Sequence, residues 1–445
     1  MTRFLCAAAS LILWGAAAQV QAQAQVQPQA RGQDCLITDY GAVADDETLD
    51  TAAIQAAVDD CRDRGGRVVT PAGRFVSGQI RLGSRMEFHL APGAVLAAST
   101  RLDDFAPVID GEHRAFVVAQ GAEDLLISGK GVLDGQGAAA WPTPDAERLR
   151  FGLIVDRCRN VTIRDVTVRD TPMYLSAVKD CDNVVIDGVT LTAPWDSPNT
   201  DGLQIIDSAD VRVSNCLISV GDDGVVTKAR RRFVERLQIT NCRISSDDGA
   251  LKFGTRSESG VRDSLFSNLT ITESRYGVAL FMIHGGLYAN NRFSNIRIAT
   301  GGRHWRHFPI FVDIDDRADG PRPLGRIEGL TFDGLDITTA GNILIGGHPS
   351  SPVRDLTLTD IRMRVEDAQD LAATAGKPRG NRRFQPVPGA ADHSGVVAHV
   401  VLGHVAGASV RGLDVRGIAP GDQRAVLALP NSSDVTVDAG PVSVR

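Results

Sequence analysis

The chain has 445 residues, enough for two or three ordinary domains or for one long repetitive all-β fold. A net charge of -7 gives no sign of nucleic-acid binding, so any hold on an acidic ligand must come from a local basic cluster. Beyond the first apolar stretch, no segment reaches about 18 consecutive apolar residues, which argues against a later transmembrane helix.

The N-terminus has the pattern of a cleaved secretory signal. Arg3 precedes an apolar run from Phe4 to Ala18, and a small-x-small site ends at Ala24. The run is too short for a membrane anchor, which is the competing interpretation. We therefore expect a secreted or periplasmic protein with a signal peptide over residues 1–24, a Gln-rich linker over 25–33 and a single domain over 34–445.

A helical cap is predicted at the start of this domain, over about residues 34–75. The segment "DTAAIQAAVDDCRDRGG" favours one helix that ends near Gly65 and Gly66. Its apolar face is formed by Ala53, Ile54, Ala57, Val58 and Cys61.

Six cysteines remain once Cys6 is removed with the signal, an even number in an oxidising compartment. Cys35 and Cys61 are the pair expected to form a disulfide across the cap. The other four occupy equivalent places in successive segments, which favours buried thiol ladders over disulfides. They are Cys158, Cys181, Cys216 and Cys242.

The rest of the chain repeats short apolar runs separated by Asn, Asp and Gly. Matching strand residues recur at intervals of 23 to 27 residues, with one interval of 39; they are Ile163, Ile186, Val213, Ile239, Phe266, Phe293, Phe332 and Leu358. This period predicts an all-β, right-handed parallel β-helix, since a leucine-rich repeat would show its Leu/Asn signature and a propeller would repeat over about 40 to 50 residues. The insertion at 301–325 and the loop after Arg364 are expected to shape a binding face.

Carboxylates recur at the same period. Asp201 in "NTDG" is followed after 21 residues by Asp222 and Asp223 in "GDDG", so we expect Asp201 and Asp222 to face each other on adjacent coils about 4.8 Å apart. A bulge at Gly221 would let Asp222 and Asp223 reach the same groove. Clustered carboxylates raise the pKa of at least one member, and glycosidic cleavage needs both an acid and a base. Solvated turn residues are the alternative.

These motifs resemble glycoside hydrolase family 28, the polygalacturonases and their relatives. "NTDG" at 199–202, "GDD" at 221–223 and "LDGQGAAAW" at 133–141 carry the resemblance, which runs from about Ile37 through the last repeats. It implies a right-handed parallel β-helix and hydrolysis with inversion. By the same resemblance Asp222 is the general acid, while Asp201 and Asp223 activate water.

Two family motifs are altered. "SSDDGALKFGT" places Asp247 and Asp248 where the family has "GHG", and "YGVALFM" places Ala279 and Phe281 at the basic positions of "RIK". These departures favour a rhamnogalacturonan-type or other uncommon pectic linkage over plain polygalacturonan. The candidate substrate-binding residues are Asn199, Lys228, Asp248, Lys252, Arg256, His284 and Trp305.

The leading hypothesis is an exported, inverting hydrolase of a pectic or related acidic polysaccharide or its oligosaccharides, attacking from the chain end. The acids need a counter-charge, which Lys252, Arg256 or a bound Ca²⁺ would supply; we expect no obligate cofactor or metal. A Ca²⁺-dependent lyase or epimerase and a non-catalytic glycan-binding solenoid are the alternatives. A carbohydrate is the expected partner, with no nucleic acid, no membrane and a monomeric state.

Overall fold

The computed structural model describes residues 34–143, 147–315, 323–370, 393–419, 422 and 424–438. The predicted signal peptide and linker, and parts of the two long loops, lie outside these residues. Within the described part of the chain, no helix is long and apolar enough to cross a membrane.

The chain winds into a right-handed parallel β-helix, as the repeat period predicts. One sheet carries the candidate site, and its strands are Ile80–Leu82, Pro107–Ile109, His113–Gln120, Phe151–Asp156, Tyr174–Lys179, Leu203–Ile206, Val225–Lys228, Gly249–Phe253, Tyr276–Met282, Phe308–Ile314, Ile343–Gly346, Ala398–Gly403 and Ala425–Ala428. Each of these strands pairs in parallel with the strand of the next coil, except Pro107–Ile109, which pairs antiparallel with His113–Gln120.

The remaining strands form a second sheet that wraps around the other sides of the coils. They are Asp34–Leu36, Arg67–Thr70, Gly73–Ser77, Met86–Leu90, Ala94–Ala98, Glu123–Gly129, Val132–Asp134, Arg159–Arg164, Thr167–Arg169, Asp182–Asp187, Thr190–Thr192, Ala209–Ser214, Leu217–Val220, Val234–Glu235, Gln238–Thr240, Arg243–Ser246, Gly260–Arg262, Leu265–Ser274, Leu287–Ala289, Arg292–Thr300, Arg326–Glu328, Thr331–Thr339, Val353–Val365, Val405–Arg411, Asp414–Arg416 and Ser433–Val437. Short 3-10 turns occur at Ile37–Tyr40, Leu102–Asp104, Gly137–Ala139 and His393–Gly395.

The N-terminal cap is one α-helix, Thr51–Cys61, whose buried face matches the predicted one apart from the half-buried Ala53. Cys35 and Cys61 form the predicted disulfide, with their Cα atoms 6.3 Å apart. The other four cysteines of the described chain are buried free thiols that stack between coils. The amide of Cys158, for example, donates to Cys181 Sγ at 3.1 Å.

Stacked apolar side chains fill the interior. One cluster of buried residues continues from Cys35 to Val415. Phe293 pairs in register with Phe266 and Phe332, and its ring centroid lies 4.7 Å and 4.9 Å from theirs in nearly parallel planes. Identical residues at equivalent places therefore form a ladder of rings along the axis.

Truncating the middle ring tests this packing. Phe293→Ala leaves a cavity between two coils that cannot approach each other without breaking the strand ladder, so we expect the free energy of unfolding to fall by about 3–5 kcal/mol. Urea unfolding measures the change. Leu217→Ala, at a side chain that is 43% exposed, is the control and should stay within about 0.5 kcal/mol of wild type. Equal losses in the two variants would contradict the ladder's role.

Candidate active site

The acidic motifs lie at the ends of turns that lead into three neighbouring strands of the first sheet. Asp201 precedes Leu203–Ile206, Asp222 and Asp223 precede Val225–Lys228, and Asp248 precedes Gly249–Phe253. Because the three strands pair in parallel, the turns before them meet at one edge of the sheet. Single oxygens of Asp201, Asp222 and Asp223 all lie within 4.8 Å of one another.

The backbone register corrects the predicted pairing by one residue. Leu203 pairs with Val225, so Asp223, and not Asp222, lies opposite Asp201. The amide of Gly202 accordingly donates to the carbonyl of Asp223 at 2.8 Å. The spacing argument counted 21 residues for a coil that contains 22 at this point. The predicted convergence of Asp222 and Asp223 is confirmed, since both line one cavity.

Small residues in the two motifs allow the turns to approach closely. A Cβ atom on Gly202 would lie 2.6 Å from the carbonyl oxygen of Gly224, and one on Gly221 would lie 2.4 Å from that of Ser197. Either contact is too short for any other residue. The buried hydroxyl of Thr200 accepts a hydrogen bond from the amide of Gly221 at 3.1 Å. "NTDG" and "GDD" thus form a single backbone unit.

The acids open into a cavity of about 570 Å³ that contains most of the predicted site residues. Its lining includes Asn199, Asp201, Asp222, Asp223, Lys228, Asp248, Lys252, Arg256 and Trp305. The insertion at 301–325 contributes to it as expected: Trp305 is 39% exposed there, and Arg303 pairs with Asp247 at 2.7 Å.

Two lysines provide the counter-charge that the acids need. Lys252 Nζ lies 2.8 Å from Asp223 Oδ1 and 3.0 Å from Asp248 Oδ2, and Lys228 Nζ lies 3.5 Å from Asp201 Oδ2. Arg256, the other predicted cation, pairs instead with Glu258 at 3.0 Å. Lys252 is therefore the main neutralising group, a role that the sequence assigned to Lys252, Arg256 or Ca²⁺ without distinguishing them.

Burial shifts the titration of these groups. It raises the pKa of Asp201 to about 6 against the opposing charge of Lys228. Burial, together with the charge of Asp201, raises the pKa of Asp222 to about 7. Burial also raises the pKa of Asp223 to about 7 although Lys252 opposes it. For Asp248 the charges of Lys252 and Arg275 outweigh burial and hold the pKa at about 2.

Asp222 differs from its neighbours in its partners. Asp201 and Asp223 each have a lysine within 4.0 Å, whereas Asp222 has no ion-pair partner among the described residues. Its Oδ1 accepts only the amide of Asp223, at 3.0 Å. Because the cluster shares its protons, the ion pairs favour charge on Asp201 and Asp223 and leave the proton on Asp222.

Three residues that support the site were not predicted from the sequence. Gln204 Nε2 donates to Asp201 Oδ2 at 2.7 Å, and Arg275 lies 3.3 Å from Asp248 Oδ1. Arg148 is buried and donates to Asn199 Oδ1 at 2.7 Å. The strand register could have indicated two of them. Gln204 and Lys252 belong to one row, that is, a set of residues paired in register on successive strands, and Arg275 comes one residue before Tyr276, the partner of Gly249.

One predicted substrate-binding residue lies outside the cavity. His284 does not line the cavity; its ring Nδ1 lies 2.6 Å from the carbonyl of Thr255. Tyr288 and Phe308 are fully buried and pack against other rings, so they are core residues and not surfaces for a sugar. His304, by contrast, lines the cavity 3.5 Å from Asp247.

Comparison with known proteins agrees with this geometry. Residues 66–374 match the family model described as Glycosyl hydrolases family 28, which is more than half of the chain. The chain belongs to this family. It is therefore a polygalacturonase-like glycoside hydrolase, as the motifs at 199–202 and 221–223 indicate.

Plant enzymes are among the relatives of this family 28 hydrolase. An exopolygalacturonase of Zea mays is 30% identical over 296 residues, which cover 62% of this chain and 69% of the relative. Polygalacturonase-2 of Solanum lycopersicum is 22% identical over 377 residues, 79% of each chain. Several other plant polygalacturonases are matched over only about half of their own length.

Solved structures share the fold. The family 28 exopolygalacturonase of Yersinia enterocolitica superposes with a TM-score of 0.72 at 18% identity, covering 92% of this chain and 79% of that one. A hyperthermoactive exopolygalacturonase of Thermotoga maritima gives 0.63 at 20% identity, covering 75% and 87%. At these identities the likeness establishes the β-helix and nothing finer.

The raised pKa of Asp222 predicts that its charge costs stability. The folded state holds this proton more tightly than the unfolded state, where the pKa is about 3.9, so the contribution of Asp222 to wild-type stability should fall as pH rises from about 4 to about 7. Asp222→Asn removes that titration. We expect the variant's unfolding free energy, relative to wild type, to grow over this range and then level off, as measured by urea unfolding. The same trend in the exposed control Asp336→Asn would refute it.

Proposed function

We propose that this chain is an exported hydrolase of pectic oligosaccharides or polysaccharides that contain galacturonic acid, attacking them from the chain end. The observation that carries the chemistry is the difference in partners among three adjacent carboxylates: within the described part of the chain Asp222 has no ion-pair partner, while Asp201 and Asp223 each have a lysine. Relatives named exopolygalacturonase support the substrate class and the exo mode. The N-terminal signal pattern supports export.

In this mechanism Asp222 is the general acid. Its raised pKa keeps it protonated near neutral pH, so it can give a proton to the glycosidic oxygen as the bond to the leaving sugar breaks. Loss of this proton leaves Asp222 as a carboxylate. The attacking water gives up one proton to the cluster, and that proton returns Asp222 to its acid form by the end of the cycle. Lys252 and Lys228 lie close enough to offset the negative charge that then forms in the cluster.

Asp201 and Asp223 activate the water. Their lysine partners favour the ionised form, and both present oxygens on the same side of the cavity as Asp222. One water held between two carboxylates is oriented for attack on the anomeric carbon and can pass a proton to either. Gln204 holds Asp201 in place by its 2.7 Å hydrogen bond. Since these cations are side chains, we propose that the reaction requires no metal.

Turnover and its dependence on Asp222 test the proposal. We expect the mature protein to release reducing ends from oligogalacturonates or rhamnogalacturonan oligosaccharides, one small product at a time from the start. Asp222→Asn should lower kcat by about 10²–10⁴-fold, because the leaving oxygen is no longer protonated. Asp336→Asn, an exposed site, is the matched control.

The same reactions distinguish the alternatives. Hydrolysis should continue in EDTA and produce no ultraviolet absorbance from an unsaturated uronate. Absorbance that disappears in EDTA would instead establish a Ca²⁺-dependent lyase. Binding of the oligosaccharides without any turnover, unchanged by Asp222→Asn, would establish a glycan-binding protein.

The stereochemical outcome is a separate prediction. Family resemblance implies inversion. The oxygens of the three carboxylates lie within 4.8 Å of one another, however, which is nearer to the carboxylate spacing of retaining enzymes, about 5–5.5 Å, than to the usual inverting spacing of about 6.5–9.5 Å. We expect inversion, because both candidate nucleophiles are held in ion pairs and together bind one water. Proton NMR of the first product formed should show the anomer opposite to the substrate linkage; the same anomer would refute water attack.

A further inference from the structure

A second cavity adjoins the active site on the side of the earlier coils. Its volume is about 180 Å³, and it shares Tyr174, Lys228 and Arg230 with the lining of the catalytic cavity. A ligand bound at the acids therefore has a continuous path into it.

The lining of this second cavity is rich in cations. It presents Arg150, Lys179, Lys228, Arg230 and Arg231 against only two carboxylates, Asp110 and Asp207. Burial and the charge of Arg150 lower the pKa of His113, so that this histidine is neutral near pH 7 and does not add to the positive charge. Carboxylates behind the lining offset part of this excess, because Asp156 and Asp180 pair with Lys179, Asp180 also pairs with Arg231, and Asp201 pairs with Lys228.

The two carboxylates in the lining already have partners. Lys179 lies 3.0 Å from Asp110 and 3.1 Å from the buried Asp156. Asp207 accepts the backbone amide of Arg230 at 2.7 Å and lies 3.5 Å from the guanidinium of Arg231. Neither acid forms an ion pair with Arg150 or Arg230.

Two guanidinium groups consequently have no carboxylate within 4.0 Å among the described residues: those of Arg150 and Arg230. Arg150 is half-buried, and its polar contact is with His113 Nδ1 at 3.4 Å. The ring of Tyr174 lies under both Arg150 and Lys228, at 5.7 Å and 5.0 Å, and directs the two cations to the same space.

The opposite side of the acids has a different charge arrangement. Lys252 and Arg275 pair with Asp248, and Arg256 pairs with Glu258. The next coil presents the apolar Ala279 in the row of Lys252. Among the described residues that line the two cavities, the guanidinium groups without a carboxylate partner thus lie toward the earlier coils.

We infer that Arg150 and Arg230 bind a carboxylate of the substrate in this second cavity, so that the recognised uronate lies toward the earlier coils. This inference rests on the proposed function, because it concerns the same substrate. A guanidinium group donates to a carboxylate through two parallel N–H groups, a geometry suited to a sugar acid and not to a neutral hexose. The sugar bound on the other side of the acids, toward the later coils, then does not have to be a uronate.

Calorimetric titration with trigalacturonate tests the inference, in an Asp222→Asn background that prevents turnover. Arg150→Gln and Arg230→Gln should each raise Kd by about tenfold or more and weaken its dependence on salt. Arg243→Gln removes one exposed arginine from the other sheet and should leave Kd unchanged. Arg150→Lys should retain part of the affinity, because the charge remains.

The outcomes separate this inference from the proposed function. If the two glutamine variants bind like Arg243→Gln, the carboxylate site is refuted, whether or not the wild type turns over. Weakened binding alongside a wild type that cleaves no pectic substrate would refute hydrolysis but support the site. No binding by any variant, together with no cleavage of any pectic substrate by the wild type, would overturn both. Because Arg230 is exposed, its variant is expected to fold even if Arg150→Gln does not.

Discussion

The site depends on one constraint, the parallel hydrogen-bond register between successive coils. At the acidic motifs that register places residues 22 to 26 positions apart in the chain beside each other, about 4.8 Å apart, and coils of other lengths stack in the same parallel way along the axis. It forms the phenylalanine ladder inside and the carboxylate cluster outside. Glycines at 202 and 221 allow the turns to follow the same register without steric conflict. A shift of the strand register by one residue would therefore disrupt both the core packing and the carboxylate cluster.

Concentrating carboxylates in this way is unfavourable unless cations accompany them. Lys252 offsets two of the acids and Lys228 a third, and both lysines remain charged because the surrounding carboxylates raise their pKa despite burial. Asp222 and Asp223 both have a pKa of about 7, but among the described residues only Asp223 has an ion-pair partner, so we assign the shared proton to Asp222. The proposed general acid is thus the carboxylate that the ion-pair network omits, and the rigid fold around it supports this unfavourable arrangement.

The fold was predictable because its signal is repeated. Isoleucine, valine and phenylalanine at a period near 25 residues, with Asn and Asp at the turns, favour a β-helix, and the cap disulfide followed from where Cys35 and Cys61 occur. The acids were predictable from their motifs. Gln204 and Arg275 were not, because their role depends on a register that differed by one residue from the estimated one. Arg148 reaches Asn199 from 51 residues away, and no local pattern indicates that contact. That no carboxylate of the described residues lies within 4.0 Å of the Arg150 guanidinium is likewise a property of three-dimensional packing alone.

The row that contains Gln204, Val226, Lys252 and Ala279 has a consequence for how such enzymes change substrate. Each coil contributes one side chain to the row, so a positive charge can move along the groove in discrete steps by substitution at a single position. The acids belong to other rows and stay where they are. In this architecture, evolution can change which sugar is recognised while the proposed catalytic acids keep their positions.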